Sequence, residues 1–448
     1  MNKKCRKILS LLLVVIMLAG FAAVPAFADG EESGDSDSNV ITISDVNALK
    51  AFAARVNEGE SFEGKTVILE KDLDLQNEEW TPIGTAENPF KGVFDGGDNT
   101  VSGLKISAEC ASYVGLFGYV VGGTVENLTV EGAISLNNQE NGIGYAAIVG
   151  RIDGGSVRNC INNASIGGGK SGRWDDSGVG GVVGLANESI VDGCVNKAEV
   201  HVNCNTVGGV VGLTHASDVT NCINTGAITG KDTSIGGIVG EARVRGAVSN
   251  NTNEGAVAQD APNNDGYGVG GVVGWIRYLV HSDVTLSDTS EMAVQVMSNT
   301  NNGSVSGQGV AGGVVGEIYN AAVLTGNENN GEIVCIGSRP RIGGVIGSAN
   351  VKNISAGAEI KGVLISNNVS TVKDLALIGS ETDIGTEAFE AVDNGAAWVA
   401  QIVDKAVKYA TLTAAVDAAE AGDTIELLAD VDMTDVNAVL TIDGLIID

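Results

Sequence analysis

Aromatic residues form only 4% of this 448-residue chain, prolines number five and histidines three, and 26 basic residues face 56 acidic ones. Each scarcity excludes something. Few aromatics together with 63 glycines disfavour a helical globule and favour a chain that turns often and packs with Val, Ile and Ala. A formal charge of −30 repels nucleic acid and anionic lipid, so no nucleic-acid partner is expected. Beyond the N-terminus no run approaches the ~18 continuous apolar residues of a membrane helix, so no membrane insertion of the mature chain is expected.

The N-terminus reads as an export signal: Lys3, Lys4, Arg6 and Lys7 precede the apolar run Leu11 to Leu18 and the small-residue site Ala26-Phe27-Ala28. Cleavage after Ala28 leaves 22 basic against 56 acidic residues, a net charge of −34, and an extracellular or cell-surface location. No cysteine follows Leu18-Ala19-Gly20, which excludes a lipoprotein signal. Six cysteines remain after export, and three of them, Cys160, Cys194 and Cys222, recur at one repeat position. That placement argues against a disulfide framework, and they are read as buried small hydrophobes. No histidine lies beside them to complete a metal site.

What the chain has in abundance is repetition. GLFG at 115–118 and AAIVG at 146–150 are followed by GGVVG at 180–184 and 208–212, GGIVG at 236–240, GGVVG at 270–274 and 312–316, GGVIG at 343–347 and LALIG ending at Gly379. Successive closing glycines lie 32, 34, 28, 28, 34, 42, 31 and 32 residues apart, one supersecondary unit per repeat. Asn162, Asn196, Asn224, Asn253 and Asn329 follow the closing glycine by 12 or 13 residues, and Asn301 carries the same pattern later. Each unit reads as a GGVVG strand, a second strand, an Asn turn and a third strand. Such units bury their Val/Ile rows only by stacking, which predicts an all-β right-handed parallel β-helix, a solenoid. The Asn column reads as a structural ladder in which each amide tolerates a left-handed bend and bonds to its own copy one rung away. Cys160, Cys194 and Cys222 should stack inside in the same way.

Residues 29–39 form a flexible acidic leader, and 40–110 hold an N-terminal cap with the first coils. There Ser44 is the predicted N-cap of a helix from Asp45 to about Val56, with Val46, Leu49, Phe52, Ala53 and Val56 on one face. Residues 111–385 carry the repeats. Residues 386–448 read as an incomplete second β-helix-like unit: a strand near Val399 to Val403, a helix Leu412 to Ala421 capped by Thr411, and a strand Thr424 to Ala429. The chain stops inside Leu445-Ile446-Ile447 with no cap, as a fragment or truncated gene product would.

The strings Trp80-Thr81-Pro82-Ile83-Gly84, Pro89 to Gly97 and Val101 to Ile106, with Gly115-Leu116-Phe117-Gly118 and its GGVVG copies, resemble the GLUG-motif proteins over roughly residues 40–380. The resemblance implies an extracellular bacterial surface protein with a pectin-lyase-like β-helix. Some members belong to immunoglobulin A metallopeptidases whose zinc is held by His-Glu-x-x-His in a separate domain. Here His201, His215 and His281 belong to no such string, so peptidase activity is not carried over.

No catalytic residue is assigned, since the repeated strands offer Gly and Val where a β-helix enzyme needs outward acids. The period-breaking loops are the candidate binding elements. Arg173, Trp174, Asp175 and Asp176 lie in one, Tyr267 in a second, and Trp275, Arg277, Tyr278 and His281 in a third. Tyr113, Tyr145, Trp174 and Tyr267 each precede the first strand of a coil, along one predicted edge. Aromatic faces beside Asp and Arg suit sugar rings. Asp175 and Asp176 could bind calcium; no other cofactor is implied. The preferred reading is a non-catalytic adhesin that binds a glycan or host surface protein through loops on a rod. The alternatives are a polysaccharide lyase or glycoside hydrolase of the pectin-lyase-like superfamily, and a passive spacer.

Overall fold

The computed structural model describes residues 39–108, 112–136, 144–169, 177–231, 234–260, 268–277, 293–319, 322–336 and 340–350, with short stretches at 363–366, 368–372, 379, 381–382, 400–402, 407–409, 424–427 and 446–447. The export signal, nearly all of the leader, Cys110, the stretches 170–176 and 261–267, Tyr278, His281 and the predicted helix at 412–421 lie outside the described residues. The described chain is an all-β parallel solenoid of about eight coils, on the order of 40 Å long at the strand spacing of a parallel sheet.

Three sheets of 24, nine and eight strands, here sheets 1, 2 and 3, run along it. One coil shows the plan. Val207–Gly208 lies in sheet 3, Val211–His215 in sheet 2, and Asp218–Thr220, Ile223–Asn224 and Ile228–Gly230 in sheet 1. The next coil repeats it in parallel register: Val207 opposite Ile235, Val211 opposite Val239, Val219 opposite Val248, Asn224 opposite Asn253 and Ile228 opposite Val257. The Val and Ile rows of all three sheets meet in one continuous apolar core.

GGVVG is not one strand but a corner: Val207-Gly208 ends sheet 3, Gly209-Val210 bends, and Val211 opens sheet 2. The reason is steric. A Cβ on Gly209 would land on the carbonyl oxygen of Gly237 in the next coil and on the Asn224 amide, and Gly181, Gly237, Gly271 and Gly313 repeat that geometry. The second glycine therefore leaves the space into which the asparagine column fits.

Those asparagines are fully buried and bonded in series. Asn162 Nδ2 donates to Asn196 Oδ1 at 2.7 Å, Asn196 to Asn224 at 2.7 Å, Asn224 to Asn253 at 2.8 Å, Asn253 to Asn301 at 2.8 Å and Asn301 to Asn329 at 2.7 Å. From Asn196 onward each Nδ2 also donates to the carbonyl two residues later, as Asn224 does to Gly226 at 2.9 Å. The left-handed bend falls elsewhere than on these amides. It sits three residues earlier, at Asn159, Gly193, Asn221, Asn250, Ser298 and Gly326, because the ladder asparagines lie in strands, and the corner precedes them.

Between corner and ladder runs a second polar column. Its first members are Cys160, Cys194 and Cys222, all buried free thiols; burial pushes the Cys160 and Cys222 thiols well up. In later coils the same place holds Asn251, Asn299, Asn327 and Asn368, joined by Nδ2-to-Oδ1 bonds of 2.9, 2.9 and 2.7 Å. The switch is continuous, since the Cys222 backbone N–H donates to Asn251 Oδ1 at 2.8 Å.

The helix spans Val46–Asn57, and its N-cap is Asp45, not Ser44: the Asp45 carboxylate accepts from the Ala48 N–H. A carboxylate at that position also complements the helix dipole. Leu49, Phe52, Ala53 and Val56 are buried, with the Phe52 ring 4.9, 5.7 and 6.0 Å from those of Phe62, Phe90 and Phe94. Ala400–Ile402, Val407–Tyr409, Thr424–Leu427 and Ile446–Ile447 form a four-stranded sheet of their own, with antiparallel and parallel pairings.

Two substitutions test this packing. Gly237→Ala forces a side chain against backbone oxygen and should cost about 2–3 kcal/mol. Asn253→Leu strands the Asn224 donor and the Asn301 acceptor and should cost about 2–4 kcal/mol, as two unmade buried bonds do. Urea-unfolding midpoints of the full chain measure both.

Candidate functional site: the outer row of sheet 2

In seven of the sheet 2 strands the residue immediately after the closing glycine faces away from the core, whereas the next one, Val120, Ile152, Ala186, Ala242, Ile276, Ile318 or Ala349, joins the core; in Val211–His215 that next place holds the buried Thr214. Register places the outward residues in one row: Tyr119, Arg151, Leu185, Leu213, Glu241, Trp275, Glu317 and Ser348. The repeat string is constant because it builds the corner. The position after it is free to vary, and the chemistry collects there.

At the N-terminal end of the row Tyr113, Tyr119, Arg151 and Asp153 form a half-buried cluster. The tyrosine rings lie 5.1 Å apart at a 37° tilt, and the Arg151 guanidinium stands 5.6 and 5.2 Å from their centroids. Arg151 also grips Asp153 through two bonds of 2.9 and 2.8 Å and donates to Tyr113 Oη at 3.1 Å. Tyr119 Oη donates to Asp153 at 2.5 Å. Burial, reinforced by that bond, pushes the Tyr119 hydroxyl up to about 12. Burial disfavours the Arg151 charge, but Asp153 outweighs it and holds the guanidinium above its ordinary value. The cluster is thus a charge-neutral aromatic platform with a fixed donor and acceptor.

Farther along, burial is deeper. Glu241 accepts from both Arg243 and Arg277. The Arg277 guanidinium sits 4.4 Å from the Trp275 ring centroid, and Trp275 meets Tyr319 edge-on at 5.4 Å. Glu317 is 0% exposed; Arg341 reaches its Oε1 at 3.4 Å and Ser348 Oγ at 3.1 Å, and among the described residues Glu317 Oε2 has no hydrogen-bond partner. Desolvation raises the Glu317 carboxyl to about 7 despite Arg341. Burying a charge of this kind costs more than a surface ion pair returns, and with Glu241, Arg243, Trp275, Arg277, Glu317 and Ser348 all buried this end of the row is a sealed polar seam.

Of the candidate binding residues, Tyr145 is 3% exposed and belongs to the apolar core, so it offers no face to a sugar. It lies within the sheet 3 strand Gly144–Tyr145, opposite the core residue Val179, and so points inward. Trp275 and Arg277 do lie together, but at 7% and 9% exposure their stacked pair is covered. Arg173, Trp174, Asp175, Asp176, Tyr267 and Tyr278 lie outside the described residues. Tyr119, Arg151, Asp153, Glu241, Arg243, Glu317 and Arg341 escaped the sequence reading. Tyr119, Arg151, Glu241 and Glu317 stand first after a closing glycine and Asp153 and Arg243 third, a fixed place that is a visible signal for them in the sequence; Arg341 precedes its string and carries no such signal. Among the described residues no group of three or more His, Cys, Asp or Glu could hold a metal ion, and no helix is long and apolar enough to cross a membrane.

The raised Glu317 carboxyl has a signed consequence. Its folded pKa of about 7 exceeds the ordinary carboxyl value of 4.5, so the folded state binds the proton more tightly, and stability fully present below pH 4.5 is lost as pH rises through 7. Glu317→Gln should remove that decline, a difference of about 3 kcal/mol between pH 4 and pH 8, measured as unfolding midpoints of the two chains across pH.

No family model matches this chain. Halomucin from Haloquadratum walsbyi is 32% identical over 112 residues, which are 25% of this chain; the chain spans 1% of Halomucin's length. Among solved structures, a candidate immunoglobulin A1 protease from Bacteroides ovatus aligns at 18% identity with a TM-score of 0.41, over 76% of this chain and 83% of that one.

Proposed function

We propose that this chain is a secreted or cell-surface repeat protein that acts without catalysis, binding a glycan or host surface protein at the N-terminal end of the outer face of sheet 2. The observation that carries the reading is the Tyr113–Tyr119 pair bound to Arg151 and Asp153. Aromatic faces stack on a sugar ring while fixed polar neighbours meet its hydroxyls, and preformed side chains lose little entropy on binding. In this proposal Arg173, Trp174, Asp175, Asp176 and Tyr267 add further contacts to the same ligand. Asp175 and Asp176 are the proposed ligands of a calcium ion. The identity with Halomucin, the export signal over residues 1–28 and the GLUG-like repeats support a surface setting. The helix Val46–Asn57 serves as a cap over the first coil, and residues 386–448 begin a second unit.

A second reading, a glycoside hydrolase, has one observation in its favour. Glu241 and Glu317 flank Trp275 in one row, two rungs or roughly 9–10 Å apart, near the upper separation of an inverting carboxylate pair. Glu241, however, is engaged by two guanidiniums, and both acids are buried.

A glycan array probed with the full chain, alongside assays for new reducing ends and unsaturated sugars, separates the readings. Binding should fall at least about tenfold in the Tyr113→Ala/Tyr119→Ala double variant, the loss of one stacking contact, with no sugar release. Array signal that survives the double variant removes the platform, and release abolished by Glu317→Gln replaces adhesion with hydrolysis.

A further inference from the structure

The polar column beside the asparagine ladder changes chemistry partway along. In the later coils it is Asn251, Asn299, Asn327 and Asn368, each amide fastening one coil to the next. In the earlier coils it is Cys160, Cys194 and Cys222, at the same place in the repeat.

Three consecutive thiols stand there in register. Their neighbours Ile161, Val195 and Ile223 pair across adjacent strands, and the Val195 and Ile223 N–H groups donate to the Cys160 and Cys194 carbonyls at 2.8 and 2.9 Å. Each sulfur lies between a carbonyl of its own coil and one of the preceding coil: Cys194 Sγ is 3.5 Å from both Asp192 O and Val157 O, and Cys222 Sγ is 3.1 Å from Thr220 O and 3.7 Å from Val191 O. Adjacent parallel strands put Cα atoms about 4.8 Å apart, inside the disulfide window of about 4.4–6.8 Å. Cys160 and Cys222 are two rungs apart, roughly 9.6 Å, which is beyond it. A framework that staples loops is still not implied, because these partners are stacked equivalents on successive coils.

We propose that under oxidising conditions Cys194 forms a disulfide with Cys160 or with Cys222, a covalent rung at the column that amides fasten farther along. Two S–H bonds break and one S–S bond forms. The two protons and two electrons pass to the disulfide of a thiol–disulfide oxidoreductase or of oxidised glutathione, which leaves as two thiols. Since all three thiols are 0% exposed in the folded rod, the step belongs to coil assembly. Three thiols yield one bond and one remaining thiol, so the central residue takes part in every cross-link.

The full chain is refolded in a mixture of oxidised and reduced glutathione, then analysed by intact mass and, after denaturation and alkylation, by peptide mapping. The expected product is about 2 Da lighter, with Cys160–Cys194 and Cys194–Cys222 cross-links, no Cys160–Cys222 link, and one alkylated thiol of the three. Cys194→Ser should abolish cross-links in the column, while Cys160→Ser keeps Cys194–Cys222. If the chain does not refold, the native protein treated with diamide in sub-denaturing urea gives the same map. Complete alkylation of all three thiols, a Cys160–Cys222 link, or links from the column to Cys204 or Cys335 would overturn the proposal.

Discussion

Successive coils must lie over one another residue for residue, and every other feature of this chain follows from that constraint. Parallel pairing fixes it through the backbone, with each strand of a coil bonded to its copy in the next. Valine rows alone would tolerate a slip of two residues, which keeps their side chains on the core face. The amides would not. A coil displaced by two residues along its neighbour leaves its buried Asn224-type side chain without donor or acceptor, at a cost of several kcal/mol. The asparagines therefore specify register more than they add stability, the part that buried polar groups play in other repetitive assemblies.

The glycines belong to the same device. An amide column inside a narrow coil needs room, and the second glycine of GGVVG supplies it where the corner passes over the ladder. Glycine, valine and asparagine are thus coupled: the corner brings the backbone close, the amide occupies the space, and the valines on either side close the core. This explains why the string recurs with so little change, while the residue just after it ranges from tyrosine to arginine, leucine, glutamate, tryptophan and serine.

How much of this was legible in the sequence depended on whether a feature repeats. The parallel solenoid was readable because the 28-to-34-residue spacings of most closing glycines admit one stacked supersecondary unit and little else. The asparagines stood out by their offset from those glycines. Local geometry was harder. GGVVG has the composition of a strand, and only the close approach of the next coil makes it a corner. The left-handed bend falls on Asn159, Asn221 and Asn250 as well as Gly193 and Ser298, a mixture too varied to announce itself beside a constant asparagine three residues later. Ser44 and Asp45 are both good caps, and the tie is broken by which side chain faces the Ala48 N–H. The candidate site was the least legible part. Tyr145 resembles an edge aromatic until the coil turns it inward, and Arg151 gains meaning only when Asp153, Tyr113 and Tyr119 close around it.

The division of labour is that of a rod with a variable row: a constant interior sets the spacing, and the position after each corner varies, half-exposed at Tyr119 and Arg151 and buried from Leu185 to Ser348. Its core claim is the axial stacking itself, which is open to a direct distance measurement. Glu126, Arg158, Asp192, Thr220, Ser249, Met297 and Thr325 pair in succession, so Glu126 and Thr325 stand six rungs apart, roughly 29 Å between backbones. Spin labels at these two positions, read by pulsed dipolar spectroscopy on the full chain, should give a single narrow distance near that value, widened only by the label arms. A broad distribution, or a distance that places the two residues on facing layers or on the same rung, would contradict the stacked account.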